Sequence, residues 1–165
     1  MAKRVRTQAM RLLDARKIAY QSYAFPDTIR NAFMVAEEVG VPPAQVFKTL
    51  VLLREDQPAS HPLLIMVPAD HEVDLRHLAQ IIGSKSVRMA AHDQAEKLTG
   101  LKVGGISALA LLHKPFDMFL DEQAMKFEQI LISGGQRGVE IQLHVADLLA
   151  VTNAQLIDAT GANSA

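Results

Sequence analysis

Apolar residues in this chain come in short runs, the longest at 63–69 and 108–112, and glycine or proline punctuates the sequence between them. Neither run approaches the roughly 18 apolar residues that a membrane-crossing helix needs. The pattern demands many short elements folded back on one another. At 165 residues, 49% of them hydrophobic, the chain has the size and core content expected of one domain over residues 1–165. It contains no cysteine, which excludes disulfides, thiolate metal sites and a cysteine nucleophile together. Lys and Arg number 17 against 18 Asp and Glu, a formal charge of −1, too balanced to hold a long duplex by neutralising phosphates. Lys3, Arg4 and Arg6 resemble the start of a secretion signal, but Arg11, Asp14, Arg16 and Lys17 break the apolar centre such a signal requires. The expected location is therefore the cytoplasm.

Charge is unevenly spread. Residues 1–20 carry six bases against Asp14, a net +5 that leaves −6 for the remainder. Val5, Ala9, Leu12 and Leu13 recur at helical spacing with Arg4 and Arg11 opposite, which reads as an amphipathic helix whose basic face is either solvated or in contact with RNA phosphate. A short strand is expected over 18–25, a turn and helix cap at Pro26-Asp27-Thr28, and a helix through Val39 that stops at Gly40. Pro43 opens a second short helix carrying Val46 and Phe47. Residues 49–53 and 63–67 read as buried strands around a polar turn at 54–61, with Lys48 at the entry to the first. Helices over 74–82 and 93–99 end at Gly83 and Gly100, and Val87 and Met89 mark a strand between them. The segments 109–112, 118–120, 130–132 and 139–143 read as strands before a closing helix over 146–149. Helices and strands interleave without clean βαβα alternation, so the fold class is α+β around a mixed, curved sheet.

Signatures for phosphate-binding loops, zinc proteases and serine-hydrolase elbows are all missing. The six histidines (His61, His71, His77, His92, His113 and His144) match no ligand spacing, so no metal or cofactor is expected. Three patterns remain. Lys48 is embedded in the apolar run Val46-Phe47-Lys48-Thr49-Leu50, where a cation must either snorkel to water or face a cavity. The segment from Gly100 through Gly104-Gly105-Ile106-Ser107 forms either a plain turn or a backbone cradle for a negative oxygen. Ser133-Gly134-Gly135-Gln136-Arg137-Gly138 follows a strand and forms either a hairpin turn or the lining of a site.

Taken in order, Phe47-Lys48-Thr49-Leu50, Thr99-Gly100 with Val103-Gly104-Gly105-Ile106-Ser107, and Ser133-Gly134-Gly135-x-Arg137-Gly138 resemble the YbaK family of aminoacyl-tRNA deacylases. Close relatives of that family form the editing insertion of bacterial prolyl-tRNA synthetases. The resemblance covers nearly the whole chain and implies a barrel-like mixed sheet flanked by helices. It also implies an enzyme that clears mischarged tRNA, in the Gly-Gly-Ile-Ser subgroup that acts on Cys-tRNA(Pro), working in trans beside prolyl-tRNA synthetase. Lys48 would then hold the terminal phosphate or ribose, and the amides of Gly104, Gly105 and Ile106 would meet the oxyanion of the tetrahedral intermediate. Phe25, Ser107, Ser133, Gly134, Gly135 and Glu140 would line the pocket. The family is understood to use the substrate's own thiol as nucleophile, which makes the protein a positioning device. Three departures stand out: Ala108 replaces the usual proline after Ser107, Glu140 replaces an aspartate, and Phe25 occupies the place of a tyrosine, with Tyr20 and Tyr23 nearby. Two alternatives stay open: clearance of Ala, Ser or Thr instead of Cys, and a non-catalytic nucleic-acid-binding module. The second is opposed by the near-neutral charge and by only six Phe and two Tyr for base stacking.

Overall fold

The computed structural model describes residues 5–26, 28–29 and 31–161. Helix α1 (Gln8–Ala15), capped by the Thr7 hydroxyl, buries Ala9, Met10 and Leu13. Strand β1 (Gln21–Ala24) follows. Helix α2 (Ala32–Val39) begins at Asn31, whose side chain accepts from the Met34 amide, and ends at left-handed Gly40. Pro26 does make the expected turn, its carbonyl accepting from the Ile29 amide. The cap, however, comes three residues after Thr28.

A 3₁₀ turn over Pro43–Gln45 leads into β2 (Phe47–Arg54), which pairs antiparallel with the wholly buried β3 (Leu63–Pro68). Val46 and Phe47 are thus outside the turn, because Phe47 pairs with Pro68 in the sheet. Helix α3 (Leu75–Ile82), capped by Asp74, β4 (Val87–Met89) and α4 (His92–Thr99) stand where the periodicity placed them. Residues Ala108–Leu111 form a 3₁₀ helix rather than a strand. All four are buried, so burial on every side removed the periodicity that separates the two. The Ser107 hydroxyl, which accepts the Leu109 amide, supplied the helical start. Then follow β5 (Asp117–Asp121), β6 (Gln129–Ser133), β7 (Val139–His144), α5 (Val145–Thr152) and β8 (Gln155–Ile157). The last is a three-residue edge strand with two exposed positions, too short to carry an alternation.

The architecture is α+β, but the barrel-like closure does not occur. The strands form two sheets, a mixed one in the order β4-β2-β3-β5-β8 and an antiparallel one in the order β1-β7-β6. Among the described residues a single parallel bridge, Val46 to Leu131, joins them. An apolar cluster that includes Leu13, Phe47, Ile132, Ile141 and Leu148 packs α1 and α5 against both sheets. A second cluster seats α3 on the other face of the mixed sheet through Leu52, Ile65, Val67 and Leu78.

Candidate active site

The two glycine segments meet. A Cβ on Gly105 would lie 2.7 Å from the Arg137 nitrogen and 2.8 Å from the Gln136 carbonyl carbon, so the first loop rests directly on the backbone of the second. The second loop is tied back by the Gly134 amide, which donates to Val139 O at 2.8 Å. A Cβ on Gly134 would lie 2.6 Å from Val139 Cγ1. Gly135 places its backbone against the Cβ atoms of Ala110, Ser107 and Ala9, and so brings α1 alongside. Phe25 closes the other side: its amide donates to Gly138 O at 2.7 Å.

The amides divide into engaged and free. Gly105 N–H donates to Lys102 O at 2.8 Å, so this predicted oxyanion donor is already committed. Those of Gly104 and Ile106 have no hydrogen-bond partner among the described residues. The Ser107 hydroxyl caps the 3₁₀ helix, and the Ser133 hydroxyl accepts from the Gly135 amide at 3.3 Å. Both serines, largely buried, shape the loops.

Strand alternation decides which other side chains share this place. Val46 and Lys48 project to one face of β2, and Leu131 and Ser133 to one face of β6, with the bridge holding Val46 level with Leu131. Ser133 pairs with Glu140, and Glu140 with Tyr23. Ser133 and Glu140 therefore share one face of the smaller sheet, and Lys48 projects to the same side of its own strand as Val46. The Lys48 stem is covered, its side chain 26% exposed, and Nζ lies 3.4 Å from Oε1 of the exposed Glu72. This is the snorkelling arrangement. Glu140 has a buried carboxylate oxygen with no partner, and desolvation pushes its pKa up from 4.5 to about 8. Phe25 stacks on Tyr23 with ring centroids 6.3 Å apart, and the Tyr23 hydroxyl donates to Gln142 Oε1, away from the loops.

Sequence reasoning missed Thr49, whose hydroxyl is buried and unpartnered on the opposite face of β2. It also missed Glu72, which only the fold brings to Lys48. A groove of about 600 Å³ lies elsewhere, between Ile82, Phe116 and Ile157. None of the predicted residues lines it, and two of its three charged members, Arg54 and Asp117, pair with each other at 3.0 Å, the third being Lys114. Among the described residues no three His, Asp or Glu side chains converge as a metal site.

Residues 27–151 match the family of aminoacyl-tRNA editing domains. The chain belongs to this family. A curated editing-family relative from Enterococcus faecalis (strain ATCC 700802 / V583), provisionally named Cys-tRNA(Pro)/Cys-tRNA(Cys) deacylase EbsC, is 33% identical over 157 residues, 94% of this chain and 93% of that one. A crystal structure provisionally described as a trans-editing enzyme for prolyl-tRNA synthetase superposes with a TM-score of 0.81 at 25% identity, covering 95% of this chain and 99% of the other. A hypothetical protein at 22% identity and TM-score 0.83, covering 92% and 98%, shares the fold.

Proposed function

We propose that this editing-family chain, acting as one unit over residues 1–165, hydrolytically or by cyclisation removes cysteine from mischarged tRNA(Pro). The observation that carries the reading is the pair of unpaired amides at Gly104 and Ile106, on a loop whose Gly105 rests against the backbone of the Ser133–Gly138 loop. The name of the Enterococcus relative supplies the amino acid and two tRNAs, tRNA(Pro) and tRNA(Cys), of which the solved structure described as an editing enzyme for prolyl-tRNA synthetase favours the first.

The ester carbonyl enters between the loops, and its oxygen becomes negative as the carbon turns tetrahedral. The Gly104 and Ile106 amides receive that oxygen, each donor of this kind contributing about 3 kcal/mol to lowering the barrier. Lys48 leaves the exposed Glu72 to hold the ribose or terminal phosphate, an exchange that costs little because such surface ion pairs are worth at most about 1 kcal/mol. The substrate's thiolate attacks its own carbonyl carbon, the bond to the ribose oxygen breaks, and the proton lost by the thiol ends on that oxygen. A small ring and free tRNA leave. Glu140, protonated below about pH 8, presents a hydrogen-bond donor to the pocket instead of a charge that would repel the phosphates.

Incubation with tRNA(Pro) charged separately with Cys, Ala, Ser and Pro tests this. Cys is expected to be released fastest. Equal release of Ser or Ala would remove the thiol from the mechanism and reassign the substrate. Added prolyl-tRNA synthetase is expected to sharpen selection of tRNA(Pro) in the cytoplasm, and an unchanged tRNA preference would detach the synthetase from the function.

A further inference from the structure

Arg137 belongs to the second glycine motif, yet the reaction just described gives its side chain nothing to do. It lies across the first loop: a Cβ on Gly104 would be 3.5 Å from Arg137 Cγ, and Nε donates to Val103 O at 2.7 Å. That bond uses a neutral carbonyl and only one of the guanidinium nitrogens. Among the described residues no carboxylate forms an ion pair with Arg137, and its two terminal nitrogens have no partner. The residue is exposed. The result is a cation of full charge, oriented by its own backbone contact, with a forked edge open to solvent at the junction of the two loops. Such a fork matches two oxygens of a phosphate, and pinning Nε beforehand lowers the ordering cost of using it.

The surroundings favour an anion as well. Lys102 precedes Val103 on the same loop and is 76% exposed; Glu96, whose Oε1 lies 3.9 Å from it, is already engaged by the Val103 amide, which donates to its Oε2 at 2.8 Å. Glu140, the acid nearest in sequence to the loop, lies in the following strand with its carboxylate buried.

We propose that Arg137 clamps a phosphodiester of the substrate's terminal nucleotides and thereby sets how deeply the ester enters between the glycine loops. The proposal rests on the deacylase reading. It makes Arg137 a binding residue for the nucleic acid, not a participant in bond breaking.

Two substrates separate the possibilities: tRNA(Pro) charged with Cys, and the phosphate-free 3′-cysteinyl ester of adenosine. Arg137→Gln is expected to raise KM for charged tRNA about 10- to 100-fold, the range for removing one charge-assisted hydrogen bond, with kcat within about twofold. On the adenosine ester kcat/KM is expected to stay within about twofold of the parent. Binding of uncharged tRNA should lose about 0.7 from its salt slope, the value for one single-strand phosphate contact. Arg137→Lys, which keeps the charge without the fork, should retain that slope and recover part of the KM. Equal losses on both substrates, with an unchanged slope, would reduce Arg137 to a staple between the loops and overturn the proposal. If the parent protein cleaves neither ester, the deacylase reading fails, while the slope measurement still decides the clamp.

Discussion

Glu140→Gln removes a group that folding forces to hold its proton. In the unfolded chain the carboxyl titrates near 4.5, whereas burial raises it to about 8 in the native protein. Between those values the native state binds more protons at this group than the unfolded state, so the contribution of Glu140 to stability is greatest below about pH 4.5, declines as pH rises and levels off above about pH 8. The interval corresponds to about 5 kcal/mol at 1.36 kcal/mol per unit. That figure is a ceiling, because water entering beside the loops solvates the ionised form. Glutamine has nearly the same shape and no titration. Urea denaturation of both proteins from about pH 5 to about pH 9 reads the effect as a difference, in which all other titrating groups cancel. The variant is expected to gain on the parent by at most about 1.4 kcal/mol per pH unit, until the gain saturates. A difference that is flat across the window would show that the carboxylate finds solvent or a partner, and would refute the burial argument.

Lys48→Ala should lower deacylation of Cys-tRNA(Pro) about 100-fold, the scale of losing one charge-stabilising donor. Its melting temperature should fall only modestly, since the substitution removes an ion pair worth at most about 1 kcal/mol together with the covered stem of the side chain; full activity in a folded variant would remove the lysine from the reaction. Gly105→Ala must push its Cβ into backbone 2.7 Å away, so a loss of about 1–3 kcal/mol in denaturation and a clear fall in turnover are expected. Gly138→Ala and Gly40→Ala both place a side chain at positive φ, +81° and +84°, but only the former meets an obstacle, Phe25 O at 2.6 Å. Gly40→Ala should cost about 1 kcal/mol and Gly138→Ala distinctly more, read by urea denaturation; equal costs would mean that β1 yields freely.

Helix ends were the most legible part of the sequence. Gly40, Gly83 and Gly100 adopt left-handed conformations at the C-termini of their helices, as glycine after a periodic run requires. Strands that bury both faces were legible too, since β3 is apolar at every position. What local pattern cannot express is competition between structures of similar burial. Asn31 took the cap that Thr28 could have taken, and residues 108–111 turned helical once Ser107 offered its hydroxyl. The meeting of the glycine loops followed from the family resemblance rather than from either loop alone. The Gly105 amide shows the limit of motif reading: its residue type suits an oxyanion donor, but its own turn uses it. The isolation of the Glu140 carboxylate is a property of neighbours remote in sequence, and no spacing encodes it.

The bridge at Val46 and Leu131, the single one between the sheets among the described residues, divides the residues of the proposed site between two sheets. Lys48 travels with the mixed sheet, Ser133 and Glu140 with the smaller one. Two residues beyond a rivet is a lever of about 7 Å at 3.3 Å per residue, so a torsion of about 10° between the sheets displaces the lysine by about 1 Å, a misplacement that can cost two orders of magnitude in rate. If Lys48 serves the reaction as proposed, its placement depends on how firmly Phe47 and its apolar neighbours hold the sheets together. Substitutions deep in that cluster are then expected to lower turnover while every proposed reacting group is intact.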